Sequence, residues 1–159
     1  MSGERGADGA RVPRPPMLST PATAPYWAAA AVGRLLLQRC RSCGRLQHYA
    51  RTLCAGCWSE DLDWVEAAGT GTVWTLTVAH VPGHPAWAAA APYVLAIVEL
   101  DEGPRLLTNV VGVPPQSVAV GQRVRLVRHT DSCPEGDPAL LQFTPLESVN
   151  PNEIKEIQP

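Results

Sequence analysis

The spacing of apolar residues changes near residue 65 and predicts two different modules. Residues 34–40, RLLLQRC, form a short apolar run that predicts a strand leading into a pair of cysteines. Farther along, runs of strand length recur between glycines and prolines. They read GTVWTLTVAHV, PYVLAIVEL (a continuous buried run), RLLTNVVGV and QRVRLVRH. Five or so strands over about 80 residues, joined by turns such as DEG, predict a small closed or nearly closed barrel.

Four of the five cysteines form two CxxC pairs, which are Cys40 with Cys43 and Cys54 with Cys57. We find no secretory signal and expect reduced thiols, so the pairs favour a metal over disulfides. Four thiolates brought together by two tight turns suit tetrahedral zinc, with no position left for a reacting water. The sequence therefore predicts a structural Zn²⁺ held by these four residues. Unrelated reduced cysteines and a redox pair are the alternatives, and the second lacks the βαβ context of thioredoxin.

Two glycines, a histidine and the fifth cysteine bear on how this site is interpreted. We expect Gly44 and Gly56 to supply the relaxed backbone angles that turns around a metal need. His48 lies between the pairs and could replace a cysteine, but with four sulfurs already present we interpret it as a surface imidazole. Cys133, in the polar segment DSCPEGD, is interpreted as a plain loop thiol.

No arrangement in the sequence predicts catalysis. His80 and His84 flank prolines that prevent the helical spacing a metal pair would need. Asp101 and Glu102 are adjacent in a predicted turn, so they point apart and are interpreted as turn residues. There is no GxSxG, no HExxH and no phosphate-binding glycine loop in the sequence. We therefore assign no catalytic residue, and the sequence identifies no residue that binds a cofactor other than the metal.

Composition and charge narrow the classes of function further. The chain has 159 residues, 16 prolines, 13 glycines, a formal net charge of −2 and a pI near 6.1. Such a chain has no general field to attract nucleic acid, and its apolar segments are too short or too interrupted to span a membrane. We expect a cytoplasmic protein that binds neither nucleic acid nor membrane.

The charge is nevertheless uneven along the chain. Residues 34–64 carry five arginines against three carboxylates, whereas residues 65–146 carry four arginines against seven. An acidic barrel with few aromatic rings does not suit single-stranded nucleic acid. The arginines of the first module could meet an anionic cofactor tail or an acidic partner, and a solvated surface remains the alternative.

Taken together, residues 25–146 resemble the DUF35 family. The resemblance rests on YWAAAAVGRLLLQRC, CRSCG with CAGC, AGTGTVWTLTVAH, PYVLAIVELDEGPRLLTNVVG, VGQRVRL and LLQFTP, in this order. One departure is HYAR at residues 48–51, where family members usually have Pro-Pro-Arg. The resemblance implies a mainly β protein, with a short N-terminal helix and a rubredoxin-like zinc ribbon followed by a five-stranded OB-fold barrel.

With this resemblance the chain is divided into four parts. We expect a disordered tail over residues 1–24, a helix and the zinc ribbon over 25–64, the OB-fold barrel over 65–146, and a C-terminal tail over 147–159. Pro25 followed by YWAAAAVG predicts the helix, and Gly33 is its expected end. The first tail has too few apolar groups to offset the entropy of ordering it.

The resemblance also implies a function. DUF35 proteins look like non-catalytic accessory subunits that bind and activate thiolase-fold enzymes, including aldolases of the lipid-transfer-protein type, thiolases and acyltransferases. The partner carries the catalytic residues, and the DUF35 chain contributes to a channel for acyl-CoA at the interface. Trp87 and Tyr93 are candidate interface anchors, and Tyr93 is an equally good core residue. The alternatives are an OB-fold module that binds nucleic acid and an enzyme that acts alone on acyl-CoA.

Overall fold

A computed structural model describes residue 15 and residues 18–127 and 140–146. The helix α1 spans Ala24–Ala31, and eight strands follow it: β1 Leu36–Cys40, β2 Leu46–Gln47, β3 Leu62–Glu66, β4 Thr70–Ala79, β5 Tyr93–Leu100, β6 Arg105–Val110, β7 Arg123–Val127 and β8 Gln142–Pro145. Two short 3₁₀ helices span Pro85–Ala90 and Pro115–Ser117. The fold class predicted from the sequence is confirmed. Most of residues 1–24, all of 147–159 and the loop with Cys133 lie outside the described residues.

The helix α1 begins and ends where its sequence indicates. Pro25 stands in its first turn, where the missing N–H costs nothing. Gly33 has φ 71°, the left-handed conformation that commonly ends a helix. Ala29 and Ala30 are the buried face of this helix, which lies beside β1. Among the described residues, no helix is long and apolar enough to cross a membrane.

The first sheet has the order β2-β1-β3, and all its pairs are antiparallel. It buries two glutamines as well as apolar groups, and both glutamines are hydrogen-bonded. Gln47 Nε2 donates to Gln38 Oε1 over 2.9 Å, and Gln38 in turn contacts both the N–H and the C=O of Arg51. Gln47 Oε1 accepts from the N–H of Ala55 over 2.9 Å. These bonds attach the loop that carries the second cysteine pair to the sheet.

The second sheet closes into a five-stranded barrel in the order β4-β5-β6-β8-β7, with β7 pairing back onto β4. All its pairs are antiparallel except β6 with β8. Along β5, half-buried and fully buried residues alternate, so the strand has one outward face and is not the continuous buried run expected from its sequence. The barrel interior is apolar apart from Thr108, whose hydroxyl donates to the C=O of Leu141 over 2.8 Å. Its members Val73, Val98, Val124 and Phe143 are at most 1% exposed.

The ribbon and the barrel share part of one core. Leu35 and Leu37 from the ribbon are in the same apolar cluster as the barrel valines. The N–H of Ala67 donates to the C=O of Leu35 over 2.9 Å where the chain passes from β3 towards β4. The ribbon is therefore fixed against the barrel at its base, and Gly44 and Arg45 near the first cysteine pair border a cleft with the turn between β5 and β6.

Candidate metal centre

The structure brings the four cysteines of the two CxxC pairs together. Cys40 ends β1, Cys43 is in the turn that follows, and Cys54 and Cys57 are in the loop between β2 and β3. Their sulfurs all lie within 4.8 Å of one another. The Cys40–Cys57 sulfurs are 3.5 Å apart, and the Cys43–Cys54 sulfurs are 3.6 Å apart. Four sulfurs about 2.3 Å from one tetrahedral zinc would be about 3.8 Å apart, whereas a disulfide bond is only about 2 Å long. The donor set therefore fits one zinc ion.

The two cysteine turns have the same backbone hydrogen bonds. The N–H of Gly44 donates to the C=O of Cys40 over 2.8 Å, and the N–H of Trp58 donates to the C=O of Cys54 over 3.0 Å. The N–H of each first cysteine, in turn, donates to the C=O of the fifth residue after it, over 2.9 Å in both turns. Cys40–Arg45 and Cys54–Ser59 are thus two copies of one local structure, which we call the first and second knuckle.

Gly56 does not supply the relaxed backbone angle expected from the sequence. Gly44 has φ 76°, as predicted, but the equivalent residue of the second knuckle is Trp58, with φ 62°. Gly56 is not among the residues with positive φ. Its N–H lies 3.3 Å from the Cys54 sulfur, and a Cβ at this position would lie 2.9 Å from Cδ of Arg45. Gly56 therefore leaves room for the Arg45 side chain, and Trp58 takes the strained backbone angle.

The thiols of the site do not ionise independently. Backbone N–H groups of Gly56 and Cys57 lower the pKa of Cys54 to about 6. The N–H of Ser59 acts on Cys57 in the same direction, but the neighbouring sulfurs outweigh it and raise the pKa of Cys57 to about 12. Several thiolates this close together repel one another unless a cation lies between them. A divalent metal removes that repulsion, which supports a metal at this position.

Polar contacts fix the surroundings of the knuckles. The hydroxyl of Ser42 in the first knuckle and the hydroxyl of Ser59 in the second are 2.8 Å apart. Arg41 forms a two-point contact with Asp63, with 2.6 Å between its Nη2 and Oδ1 of the carboxylate. The ion pair is largely exposed, so it orients these side chains more than it stabilises the fold.

His48 is not the surface imidazole expected from the sequence. Its ring lies between Tyr26, at 5.5 Å, and Tyr49, at 4.7 Å between ring centroids. Nδ1 is buried and has no hydrogen-bond partner among the described residues, and burial lowers the pKa of His48 to about 4. Tyr26 comes from α1, far away in the sequence, so no local pattern could indicate this packing. His48 is not in the group of side chains that could hold the metal.

The other polar candidates contribute to local structure. His84 Nδ1 accepts a hydrogen bond from the N–H of Ala86 over 3.1 Å and caps the 3₁₀ helix Pro85–Ala90. Asp101 accepts from Thr70 and from Arg123, and the Arg123 contact contributes most to lowering its pKa to about 2. Glu102 Oε1 accepts from the N–H of Ala68 over 2.6 Å. Both carboxylates thus stabilise the turn after β5, which agrees with their interpretation as turn residues.

The aromatic candidates are both half-buried. The rings of Trp87 and Tyr93 are 6.3 Å apart at the mouth of the barrel, so an interface role and a core role both stay open for Tyr93. On the outer surface of the barrel, Arg105 lies 3.4 Å over the ring of Trp74 and also pairs with Glu99. Arg123 pairs with Asp101. Two of the barrel's arginines are therefore engaged with carboxylates, which further disfavours a basic groove for nucleic acid.

Comparisons with known proteins agree with this architecture. Residues 27–63 match the family model described as the ChsH2 rubredoxin-like zinc ribbon domain, and residues 64–129 match the ChsH2 C-terminal OB-fold domain. A solved structure named Ltp2-ChsH2(DUF35) aldolase superposes with a TM-score of 0.67 at 43% identity, covering 83% of this chain and 98% of that one. A DUF35 protein of unknown function from Sulfolobus solfataricus, at 19% identity and a TM-score of 0.56, shares the fold.

Relatives by sequence fall into two kinds. A DUF35 domain-containing scaffold protein of Methanocaldococcus jannaschii is 31% identical over 69% of this chain and 80% of its own length. A probable enoyl-CoA hydratase alpha subunit of Thermomonospora curvata is 48% identical over 64% of this chain. The 3-oxo-4,17-pregnadiene-20-carboxyl-CoA hydratase alpha subunit of Mycobacterium tuberculosis is 35% identical over 65% of it. The matches span only 31% and 32% of the two hydratase subunits, about a third of each.

Proposed function

The chain belongs to the DUF35 family, and from this we propose that it is a non-catalytic accessory subunit that binds and activates a thiolase-fold acyl-CoA enzyme. The partner is of the aldolase, thiolase or acyltransferase type. The observation that carries the proposal is the likeness to the Ltp2-ChsH2(DUF35) aldolase, because this chain covers 98% of the matched DUF35 chain at 43% identity. The module that these two proteins share is therefore nearly complete here.

The proposed metal is a structural Zn²⁺ held by Cys40, Cys43, Cys54 and Cys57. The sulfur distances support a closed site of four ligands, which leaves the metal no position for a substrate or a water. When bound, zinc would supply cross-links between the two knuckles and charge balance for the thiolates. Cys40 and Cys54 are each only 1% exposed, which suits such a structural role.

The hydrogen bonds of the polar side chains support the proposal that this chain is not itself catalytic. His84, Asp101 and Glu102 each accept hydrogen bonds that stabilise a helix end or a turn. A general acid or base needs an open path to its substrate. His84 and Glu102 instead accept from backbone N–H groups, and Asp101 accepts from the side chains of Thr70 and Arg123. The catalytic groups are therefore assigned to the partner enzyme.

An uncharged cleft supports a contribution to an acyl-CoA channel. It has a volume of about 300 Å³, and its walls include Tyr26, His48, Tyr49, Leu107 and Leu141. Burial raises the pKa of Tyr26 to about 12 and lowers that of His48 to about 4, so both stay neutral near pH 7. Apolar walls with a few neutral polar groups suit an acyl chain and not the phosphates of coenzyme A. We assign this cleft to the acyl group.

The test of the proposal is complex formation with a thiolase-fold acyl-CoA enzyme from the same organism. The two proteins are expressed together with a tag on one of them, and the eluate is passed over a sizing column. We expect a single complex, in which the enzyme turns over its acyl-CoA at least tenfold faster than it does alone. Separate elution together with an unchanged rate would refute the proposal.

A second measurement tests the cleft. Leu107 is 59% exposed, so Leu107→Glu should fold normally and place a charge at the cleft wall. We expect the KM of the complex for a long-chain acyl-CoA to rise several-fold with little change for acetyl-CoA. Val81→Glu, at a valine that is 87% exposed, is the control and should change neither value. Equal KM values for both variants would show that the acyl group lies elsewhere.

A further inference from the structure

Trp58 combines a backbone conformation and an exposure that are both unfavourable for tryptophan. Its φ is 62°, and it is the only residue other than glycine with positive φ in the described part of the chain. The side chain is 76% exposed, the most of any large aromatic residue there. Left-handed backbone is rare for bulky residues. A large apolar ring that stays exposed to water contributes no hydrophobic stabilisation. Neither property stabilises the isolated chain.

The first knuckle shows that the fold does not require tryptophan at this position. Gly44 occupies the equivalent place with φ 76°, and its N–H makes the same hydrogen bond to the first cysteine of its pair. A glycine at residue 58 would therefore close the second knuckle without strain. Strained residues that the local structure does not need are concentrated at functional sites. Trp58 is thus a candidate for a contact outside this chain.

Arg45 extends the exposed surface next to the second knuckle. Its side chain passes over Gly56, since a Cβ placed there would be 2.9 Å from Cδ and 3.3 Å from Nη1 of the arginine. Arg45 is exposed and borders a cleft that Glu99 and Glu102 of the barrel also line, but among the described residues no carboxylate lies within ion-pair distance of it. Tryptophan and arginine are the residue types most enriched where a few side chains carry the binding energy of an interface.

We propose that Trp58 is an anchor by which the second knuckle docks onto the partner enzyme, with Arg45 at the rim of the contact. The partner surface would have an apolar recess for the indole and a carboxylate beside it. This inference rests on the proposed function and adds the contact point.

Three substitutions at residue 58 separate an anchor from a structural residue. Trp58→Gly and Trp58→Asn both suit left-handed backbone and remove the indole, whereas Trp58→Phe keeps an aromatic ring. The dissociation constant of the complex is measured for the full chain by calorimetry, together with bound zinc and the thermal midpoint of the free chain. We expect the Gly and Asn variants to bind at least tenfold more weakly, with zinc retained and the midpoint unchanged or higher.

The Phe variant should bind within a few-fold of the wild-type chain. Arg45→Gln should weaken binding less than Trp58→Gly does, and it should reduce the salt dependence of binding. If the wild-type chain binds the enzyme and Trp58→Gly retains zinc and binds it equally well, the docking inference alone is overturned. The absence of any complex with the wild-type chain would overturn the proposed function and this inference with it. The two failures are therefore distinguishable.

Discussion

The ribbon and the barrel are both built from short strands, yet different interactions hold them together. The barrel has strands of up to ten residues and an interior of valines, leucines and one phenylalanine. The ribbon has strands of five, two and five residues, and its sheet buries two glutamines beside its few apolar groups. A module this small cannot bury enough apolar surface to stabilise itself. From this difference we expect the ribbon to depend on its metal and the barrel to depend on its apolar core.

Two consequences follow from this difference. Loss of the metal should affect the knuckles and the polar network around Gln38 and Gln47, while the barrel keeps its own core. Loss of a barrel side chain should destabilise the chain without removing the metal. The shared leucines, Leu35 and Leu37, are where one module can influence the other.

The largest expected effect is that of Cys54→Ser. Structural zinc contributes roughly 10–16 kcal/mol of apparent binding free energy in small zinc-dependent peptides, and here one of four ligands is lost. We expect bound zinc to fall from one per chain to nearly none. Amide exchange should become fast at Gln38 and Gln47, while Val98 in β5 stays protected.

Cys133→Ser is the control for this variant, because it removes a thiol outside the predicted site. It should leave zinc content and amide exchange unchanged. One zinc per chain in Cys54→Ser, or equal loss of protection in β5, would contradict the division into a metal-dependent and a metal-independent module.

The next effect is a dependence on pH that arises from His48. Its pKa is about 4 in the folded chain and about 6.5 when exposed, so between these values only the unfolded chain binds the proton. The contribution of His48 to the free energy of unfolding is therefore fully present above pH 6.5 and falls as the pH is lowered, by about 3 kcal/mol at pH 4. Tyr26, whose ring lies 5.5 Å from that of His48, stays neutral throughout this range because burial raises its pKa to about 12.

Urea unfolding of the wild type and of His48→Phe at pH 7 and pH 5 measures this effect. Protonation of the cysteine site affects both proteins alike, so the difference between them isolates His48. We expect the wild type to lose more stability than the variant. Identical losses would mean that His48 is open to solvent.

The smallest effect compares the same substitution at two valines. Val124 is 0% exposed in the barrel interior, and Val81 is 87% exposed before the 3₁₀ helix. Val124→Ala should lower the free energy of unfolding by about 2 kcal/mol, whereas Val81→Ala should change it by less than about 0.5 kcal/mol. Both variants should retain one zinc, and loss of zinc from Val124→Ala would show that the modules are not separable.

The sequence predicted the features that depend on local chemistry. The CxxC spacing identified the four sulfurs that come together, and alternation with glycines and prolines identified the barrel strands. Features that depend on distant residues were missed or wrong. The packing of His48 needs Tyr26 from the helix, and the parallel pairing of β6 with β8 joins segments on either side of β7. Trp58 could be recognised only when the hydrogen bonds of the two knuckles were compared.

The central proposal is that this chain binds its partner enzyme through the zinc ribbon. It is tested most directly by co-purifying the tagged chain with the thiolase-fold enzyme and measuring zinc and enzyme in the same eluate. The wild type and Cys133→Ser should retain both, and Cys54→Ser should retain neither. Retention of the enzyme by a Cys54→Ser chain that has lost its zinc would contradict the claim.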